Sequence, residues 1–281
     1  MISKNDIAGA VILYNSSIGV LDNINTYLNQ VERLYIIDNS TETNEQLIRN
    51  LELNDKIVYT SLNGNKGIAS ALNQAAKQAI QDKFTLLLTM DDDTRTPDNM
   101  VSQMLTFWND YAYPLGVLSG VHHDKPDTVS YRSILYTLTS GNLLNLAAYQ
   151  SVGGFRDDFF IDHVDHDYCI RLNIAGYHVV ELPNIHLVHK LGYSEQIRLG
   201  SLVLRKYGTN TPTRLYYYAR NGIYVARTYF YQHPGFSWML MKELTRRWVK
   251  VLLFDKDRSV RIKMMLKGTK DGLSGRLGEL R

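Results

Sequence analysis

The segment FTLLLTMDDD, at residues 84–93, carries the clearest signal of the fold class. Its first seven residues are mostly apolar, as in a buried strand, and three aspartates follow at once. Similar strand-like runs occur at residues 8–14, 33–40 and 56–62, with helix-like segments between them. Alternating strands and helices with short connections predict a mostly parallel sheet that is covered on both faces. The predicted fold class is therefore α/β.

The segments between these strands are predicted to be helical. Apolar residues recur at helical spacing over residues 17–30, and another helix opens after the turn-forming loop NGNKG at 63–67. Thr96 followed by Pro97 predicts a helix start, with the threonine as N-cap. The second half is less regular, and beyond about residue 195 we expect helix to the end of the chain.

Polar side chains follow each of the four predicted strands. Ligands of parallel sheets bind beyond the carboxyl ends of the strands, so residues at those ends meet at one edge. Any one group is typical of a loop, but four groups at one edge indicate a ligand site. The groups are Tyr14 with Asn15, Asp38 with Asn39, residues 63–67 and residues 91–93.

The aspartates at 91–93 suit a metal-assisted reaction. Carboxylates in an Asp-x-Asp arrangement at a rigid strand end suit Mg²⁺ or Mn²⁺, and such an ion can hold the oxygens of a diphosphate. The alternative is a run of solvent-exposed acids. The sequence has no P-loop, no G-x-G-x-x-G after its first strand, no serine nucleophile elbow and no zinc-type Cys/His spacing. These classes of chemistry are therefore disfavoured.

A second acidic cluster opens a helix predicted over residues 162–177. One of its carboxylates can serve as a general base, whereas simple capping of the helix by negative charge is the alternative. His186 and His189 lie on one strand-like segment three residues apart, so they face opposite sides and do not form a natural chelating pair. One of them can complete the metal site, and a structural histidine is the alternative.

Composition and charge narrow the class of protein further. The chain has 281 residues, of which 44% are hydrophobic and 21% charged, enough for a real core. The single cysteine, Cys169, allows no internal disulfide and favours a reducing compartment. We expect neither a signal peptide nor a spanning helix.

Residues 236–281 hold 12 Lys and Arg against 5 Asp and Glu, a net charge of +7, whereas the rest of the chain is slightly acidic. That basic segment indicates an anionic partner, unless it is only a solvated helical face.

The motifs, taken in order, resemble the family-2 inverting glycosyltransferases, and in particular their rhamnosyltransferase branch. Nearly the whole chain is covered, and the ordered set is far more specific than any one member. The matching stretches are VILYN (11–15), IIDNS (36–40), NKGIASALNQA (65–75), LLTMDDDT (87–94), GGFRDDFFIDHVDHDYCIRL (153–172), LVHKLG (187–192), PTRLYYYARNGIYVAR (212–227) and KGTKDGLSG (267–275).

The resemblance implies a glycosyltransferase-A, Rossmann-like fold with a C-terminal helical extension. It implies a divalent cation, Mn²⁺ or Mg²⁺, bound by Asp93 and His189. It implies that Asp165 is the catalytic base, with Asp162 and Asp167 as alternatives. The first acid of the family's usual pair is Val164 here, which leaves the second acid for proton transfer.

The resemblance also implies which residues bind the nucleotide. Asp38 would contact the base, and Asp91 the ribose or the metal shell. The other residues carried over to the nucleotide are Tyr14, Asn65, Gly67, Asn73 and Asp92. The branch often has glutamine at position 92, so a UDP-hexose donor stands beside dTDP-rhamnose, the first expectation.

The expected organisation is a catalytic domain at 1–195 and a helical, basic region at 196–281. The expected reaction moves a sugar from a nucleoside diphosphate to a saccharide acceptor, which can be lipid-linked, in bacterial surface polysaccharide synthesis. The expected place is the cytoplasm, peripheral on the inner face of the membrane. A non-catalytic nucleotide-sugar-binding protein of the same fold is the alternative, and a nucleic-acid partner is not expected.

Overall fold

The computed structural model describes residues 1–122, 128–189, 194–199, 202–208 and 210–280. For residues 189, 194–199 and 202–208 it describes the backbone, and for the others the side chains as well. The chain divides into two compact units. The sheet unit comprises Met1–Asp157 and Asp165–Lys190, and the helical unit comprises Asp158–Val164 and Leu191–Arg281. A short piece of the chain's middle thus belongs to the helical unit.

An eight-stranded mixed sheet forms the centre of the sheet unit, as far as the chain is described. Its order is β3-β2-β1-β4-β8-β6-β9-β7; the first four strands run parallel, as do β6 and β9. The predicted α/β class with a mostly parallel sheet is confirmed. The strands are β1 (Ile7–Leu13), β2 (Arg33–Asp38), β3 (Ile57–Ser61), β4 (Leu86–Asp91), β6 (Leu115–Val121), β7 (Arg132–Ser133), β8 (Asn142–Asn145) and β9 (His178–His186). Two further short strands, β5 (Thr94–Arg95) and β10 (Val188–His189), pair antiparallel with each other.

The middle strands of this sheet are buried along their whole length. Every residue of β1 and β6 is buried, and so are the first five residues of β4. Continuous apolar strands of this kind need cover on both faces, which helices supply. The helices are α1 (Val20–Ile24), α2 (Glu45–Leu51), α3 (Ile68–Gln81), α4 (Met100–Asp110), α5 (Leu146–Val152) and α6 (Val164–Ile174).

Two helix predictions in the first half are confirmed only in part. Residues 17–30 hold only the five-residue α1 and a 3₁₀ turn, and α4 begins at Met100 rather than after Thr96. Thr96 is buried, and its hydroxyl donates to the Thr26 carbonyl instead of capping a helix. Gln30 also donates to the Thr26 carbonyl, and its oxygen accepts the N–H of Val101 in the first turn of α4. Contacts between residues 26–30 and residues 96–101 therefore fix the start of α4.

The helical unit begins with a hairpin and ends with three helices. The hairpin strands are β11 (Ser194–Leu199) and β12 (Leu202–Gly208), and the helices are α7 (Pro212–Thr228), α8 (Pro234–Leu253) and α9 (Arg258–Ser274). The prediction of helix from about residue 195 is wrong for the hairpin, whose two strands pair antiparallel. It is confirmed for the rest. No helix in the described part of the chain is long and apolar enough to cross a membrane.

Helices α7 and α9 pack with their backbones unusually close. A Cβ added at Gly268 would lie 2.3 Å from the Tyr216 carbonyl oxygen, and one at Gly272 would lie 2.4 Å from that of Arg220. The two glycines are one turn apart, so they form a strip on α9 that admits the α7 backbone. Around this strip a buried cluster contains Leu215, Ala219, Ile223, Leu244, Val251 and Met265.

Candidate active site

The strand order places a ligand crevice at the carboxyl end of β1. This strand has β2 on one side and β4 on the other, which is the switch point where open α/β sheets bind ligands. The register pairs Leu13 with Asp38 and Ile12 with Asp91. The predicted polar groups at these strand ends are therefore brought to one edge of the sheet, and Tyr14, which follows β1, is 51% exposed there.

A hydrogen bond across the crevice joins the loop after β1 to the aspartate run. The Ser16 hydroxyl donates to the Asp92 carboxylate, and the Asn23 amide donates to the Asp92 carbonyl at 2.8 Å. Burial raises the pKa of Asp92, the Ser16 bond opposes this, and the nearby charge of Asp93 adds to it. Asp92 therefore connects the two loops that flank the crevice.

Ser140 bonds the aspartate run, and the buried Tyr27 senses its charge. The Asp91 N–H donates to the Ser140 hydroxyl at 2.9 Å, and that hydroxyl donates to the Thr94 hydroxyl at 3.0 Å. Tyr27 is fully buried, and its pKa is raised well above its usual value by burial and then by the charges of Asp92 and Asp91. Neither residue was expected from the sequence, because both are distant from the run in the chain.

The backbone brings the two predicted metal ligands close together. His189 pairs with Thr94 in the short β5–β10 ladder, and Thr94 directly follows Asp93. Carboxylate oxygens and an imidazole nitrogen form a donor set that suits Mn²⁺, and carboxylates alone suit Mg²⁺. Within the described residues no group of three or more His, Cys, Asp or Glu side chains is gathered as a metal site, and the His189 side chain lies outside them.

Asp38 ends β2 in a buried, well-bonded position. Its carboxylate accepts the Tyr59 hydroxyl at 2.7 Å and the Ser40 N–H at 3.0 Å. Burial and the hydrogen bond to Asp38 raise the pKa of Tyr59. Asp38 is thus fixed in place by its neighbours on β3 and in the following loop. The sequence did not reveal the part played by Tyr59.

The loop after β3 is held by two asparagines. The Asn65 oxygen accepts from the Asn39 amide at 3.1 Å and from the Gly67 N–H at 2.9 Å. The Asn39 oxygen in turn accepts the Lys66 N–H at 2.6 Å. Gly67 has φ 86°, a left-handed angle that favours glycine, and α3 begins directly after it.

Asn73 lies on α3 and uses its whole amide within the sheet unit. Its nitrogen donates to the Phe155 carbonyl at 2.8 Å and to the Asp157 carboxylate at 2.7 Å. Its oxygen accepts the Tyr149 hydroxyl at 2.5 Å and the Phe155 N–H at 3.0 Å. The predicted contact of Asn73 with a nucleotide stays a prediction, and it would require one of these bonds to break.

Two of the three candidate bases are engaged by arginines. The Asp167 side chain is only 1% exposed and pairs with Arg171 at 2.8 Å. Arg171 donates as well to the Val152 and Gly154 carbonyls, so this ion pair fastens α6 to the segment after α5. Asp162 lies in the helical unit, where its carboxylate accepts from Arg214 at 3.2 Å.

Asp165 occupies the first turn of α6 and has a different environment. Its side chain is 18% exposed. One carboxylate oxygen accepts the His166 backbone N–H at 2.9 Å and the His166 Nδ1 at 2.8 Å. The His166 ring stacks on Tyr136 with centroids 4.2 Å apart.

Comparison with known proteins shows the family to which the chain belongs. Residues 10–171 match the family described as "Glycosyl transferase family 2". That match covers more than half of the chain, so the chain belongs to glycosyl transferase family 2 and is a glycosyltransferase.

Individual relatives are distant. The chain is 22% identical over 246 residues to the dTDP-rhamnosyl transferase RfbF of Shigella flexneri, covering 80% of this chain and 81% of that one. Among solved structures, S. aureus TarS matches 95% of this chain with TM-score 0.56 and 15% identity, and the match spans 43% of the TarS chain. GalNAc-T7 with UDP, GalNAc and Mn²⁺ matches 65% of this chain, and 43% of its own, with TM-score 0.53 and 10% identity. These structural likenesses show the shared fold.

Proposed function

We propose that this glycosyltransferase is inverting and metal-dependent, and that it transfers rhamnose from dTDP-rhamnose to a saccharide acceptor in bacterial surface polysaccharide synthesis. The observation that carries the proposal is the aspartate run after β4, joined across the β1 crevice through Ser16. The name of the Shigella flexneri relative supports the donor. A UDP-hexose is the second candidate, because a TarS structure holds UDP-GlcNAc.

The donor nucleotide would lie along the carboxyl edge of β1, β2 and β3. Asp38 would accept a hydrogen bond from the base, and Asp91 would face the ribose or the metal shell. Tyr14 offers an exposed ring at the same edge. Asn65 and Gly67 shape the loop that leads into α3, whose free N–H groups favour a negatively charged ligand.

Asp93 and His189 would hold the divalent cation. Their backbones are adjacent through the Thr94 pairing, and their donor atoms suit Mn²⁺. When bound, such an ion supplies positive charge to the departing nucleoside diphosphate, a role worth several kcal/mol in metal enzymes. Asp92 and Ser140 then serve to keep the loop that carries Asp93 in position.

Asp165 would act as the general base. The acceptor hydroxyl loses its proton to the Asp165 carboxylate while its oxygen attacks the anomeric carbon, and the bond to the diphosphate oxygen breaks. Inversion in one displacement needs no covalent enzyme intermediate. The burial of Asp167 and its pairing with Arg171 argue against that residue as the base.

Replacement of the base tests this assignment. Asp165→Asn should lower kcat for transfer by about 10²–10⁴-fold, since a positioned base typically contributes that much. Donor affinity in the presence of Mn²⁺, measured by calorimetry, should be unchanged. Asp22→Asn, in α1, is the matched control and should transfer normally. Near-normal turnover of Asp165→Asn would contradict the base assignment, and a wild-type chain that binds donors without turnover would favour a non-catalytic sugar-nucleotide-binding protein.

Helix α8 supports peripheral association with an anionic membrane as part of the same proposal. Leu240, Leu244 and Val251 of this helix are buried. Trp238 is nevertheless 64% exposed and Leu252 47% exposed. The exposed apolar side chains of this region are Trp238, Met241, Val249, Leu252, Leu253 and Phe254, with Lys242 and Arg246 among them. Aromatic and basic residues on one helix are typical of membrane interfaces.

A further inference from the structure

The segment Asp158–Val164 has an unusual backbone. Phe160, Asp162 and His163 all have left-handed φ angles, of 66°, 63° and 62°. Non-glycine residues rarely adopt this conformation, and several together persist only where surrounding contacts determine them. The segment belongs to the helical unit, although it lies between two parts of the sheet unit in the chain. Some feature of the helical unit therefore has to hold it.

Asn221 of α7 binds the segment through its backbone. The Asn221 amide nitrogen lies 2.9 Å from the Phe159 carbonyl, 2.8 Å from that of Ile161 and 3.0 Å from that of Asp162. The Asn221 side chain is fully buried, and the three bonds are buried or partly buried. One side chain thus fixes the direction of three peptide groups within four residues.

Arg220 completes the attachment from the next position. Its side chain is fully buried, and it donates to the Asp158 and Phe159 carbonyls at 2.9 Å each. Its Nε donates to the Asn221 oxygen at 2.8 Å, which orients the Asn221 amide toward the segment. The guanidinium also lies over the Tyr217 ring, 4.9 Å from its centroid. A buried charge is costly unless it is this thoroughly bonded.

Further side chains of α7 hold the side chains of the same segment. Arg214 pairs with Asp162 at 3.2 Å, and Tyr217 stacks on Phe160 with centroids 4.9 Å apart. His163 lies against Gly222, where an added Cβ would come within 3.0 Å of its ring. Backbone and side chains of one short segment are thus both fixed by one helix.

We propose that Arg220 and Asn221 are positioning residues for sugar transfer. They hold the strained segment Asp158–Val164, and the peptide bond after Val164 leads directly to Asp165, the proposed base. The inference rests on the proposed function, since it concerns the same reaction. It also assigns a task to the helical unit: to fix the path of the chain into α6. A base displaced by about 1 Å can lose about 10²-fold in rate.

Two variants and a matched control test the inference. Arg220→Lys keeps the charge but loses the planar fork, and Asn221→Ser removes the amide donors. Arg227→Gln is the control, because Arg227 lies on α7 and donates to the Leu273 carbonyl of α9 rather than to the segment. The measurements are kcat for transfer, donor affinity, the melting temperature, and hydrogen exchange at residues 158–166.

Measured at temperatures where the variants are folded, Arg220→Lys and Asn221→Ser should each lower kcat by about 10²-fold. Donor affinity should be unchanged. Exchange at residues 158–166 should become faster in both variants. Arg227→Gln should lower the melting temperature without either effect. If either variant fails to fold, Tyr218→Leu, which removes the ring contact with buried His163 and the cation–π contact with Arg247, should show the same faster exchange with a smaller loss of kcat.

A loss of kcat no greater than that of Arg227→Gln would overturn the inference, and so would unchanged exchange at residues 158–166. Failure of the proposed function has a different signature. In that case the wild-type chain transfers no sugar, while hydrogen exchange still reports whether Arg220 and Asn221 hold the segment.

Discussion

The two units of this chain use their polar groups in opposite ways. In the sheet unit, backbone strands present side chains at one edge, so Asp38, Asp91 and Asp93 become candidates for chemistry. In the helical unit, the side chains of Arg220 and Asn221 are buried and donate hydrogen bonds to backbone carbonyls. At its strand ends the sheet unit therefore presents candidate site carboxylates, whereas these two side chains of the helical unit fix the course of a segment.

This difference predicts where substitutions should affect stability and where they should affect ligand binding. A strand end tolerates change in neighbouring loops, since the register of buried β1 and β4 sets its position. A segment held by one helix depends on that helix remaining in place, and α7 depends on its contact with α9. Substitutions in the helical unit should thus act on stability first, and substitutions at the strand ends on ligand binding first.

The largest expected effect breaks the contact between α7 and α9. In Gly272→Ala the new Cβ would lie 2.4 Å from the Arg220 carbonyl oxygen, which belongs to rigid backbone. Overpacking of this kind should lower the free energy of unfolding by about 3 kcal/mol, measured by urea denaturation. Gly235→Ala in α8 is the control, because nothing lies within 4 Å of the added Cβ. Equal stability of the two variants would contradict the close α7–α9 contact.

A second substitution acts at the strand ends. Ser140→Ala removes the acceptor of the Asp91 N–H, and Ser140 is only 2% exposed. A buried polar group left unpaired should cost about 2 kcal/mol of stability, and donor affinity should fall with it. Ser102→Ala, an exposed position on α4, is the control and should change neither quantity. If Ser140→Ala kept full donor affinity, Ser140 would have no part in holding the aspartate run.

A smaller effect concerns the exposed face of α8. Replacing Trp238 and Leu252 by serine should reduce binding to vesicles containing anionic phosphatidylserine by about tenfold, because exposed apolar area supplies interfacial binding. Tyr113→Ser is the control, since Tyr113 is a 60% exposed aromatic of the sheet unit. Sedimentation with vesicles at low and high salt separates the apolar contribution to binding from the electrostatic contribution of the basic side chains. Unchanged partitioning would show that α8 only packs on its own unit.

The smallest expected effect is a pH dependence in the sheet unit. Hydrogen bonds from Tyr35 and Arg33 lower the pKa of Asp82. The resulting stability is complete above the unfolded pKa of about 3.9 and is lost as pH falls through the lower folded value. Because the Asp82 side chain is 38% exposed, solvent screening should keep the contribution below about 1 kcal/mol. The stability difference between wild type and Asp82→Asn, from thermal unfolding at pH 7 and pH 3, should shrink at the lower pH; a difference that grew would reverse the sign.

The sequence was sufficient to predict the sheet because its signal is local. The apolar runs that became β2 and β4 were readable from residue type alone, and their ends located Asp38 and Asp91. The supports of these residues were not readable. Ser16 meets Asp92 across 76 positions, and Asp91 meets Ser140 across 49. Contacts of that kind depend on strand order, which one sequence does not state.

The helical unit was harder to predict for two physical reasons. Residues 194–208 form an antiparallel hairpin, but their apolar and polar residues do not alternate regularly, so no local period indicated strands. On α8 the apolar residues surround much of the helix, so spacing alone did not reveal that Leu244 is buried while Trp238 is exposed. The contacts of Asn221 with residues about 60 positions away had no local signal at all.

Titration calorimetry of dTDP-rhamnose with and without Mn²⁺ measures whether the aspartate run binds the donor through a metal ion. Wild-type protein should bind the nucleotide sugar with Mn²⁺ and much more weakly without it. Asp93→Asn should lose most of the Mn²⁺-dependent affinity, whereas Asp22→Asn should retain it. Binding that is indifferent to Mn²⁺ and to Asp93 would contradict the account.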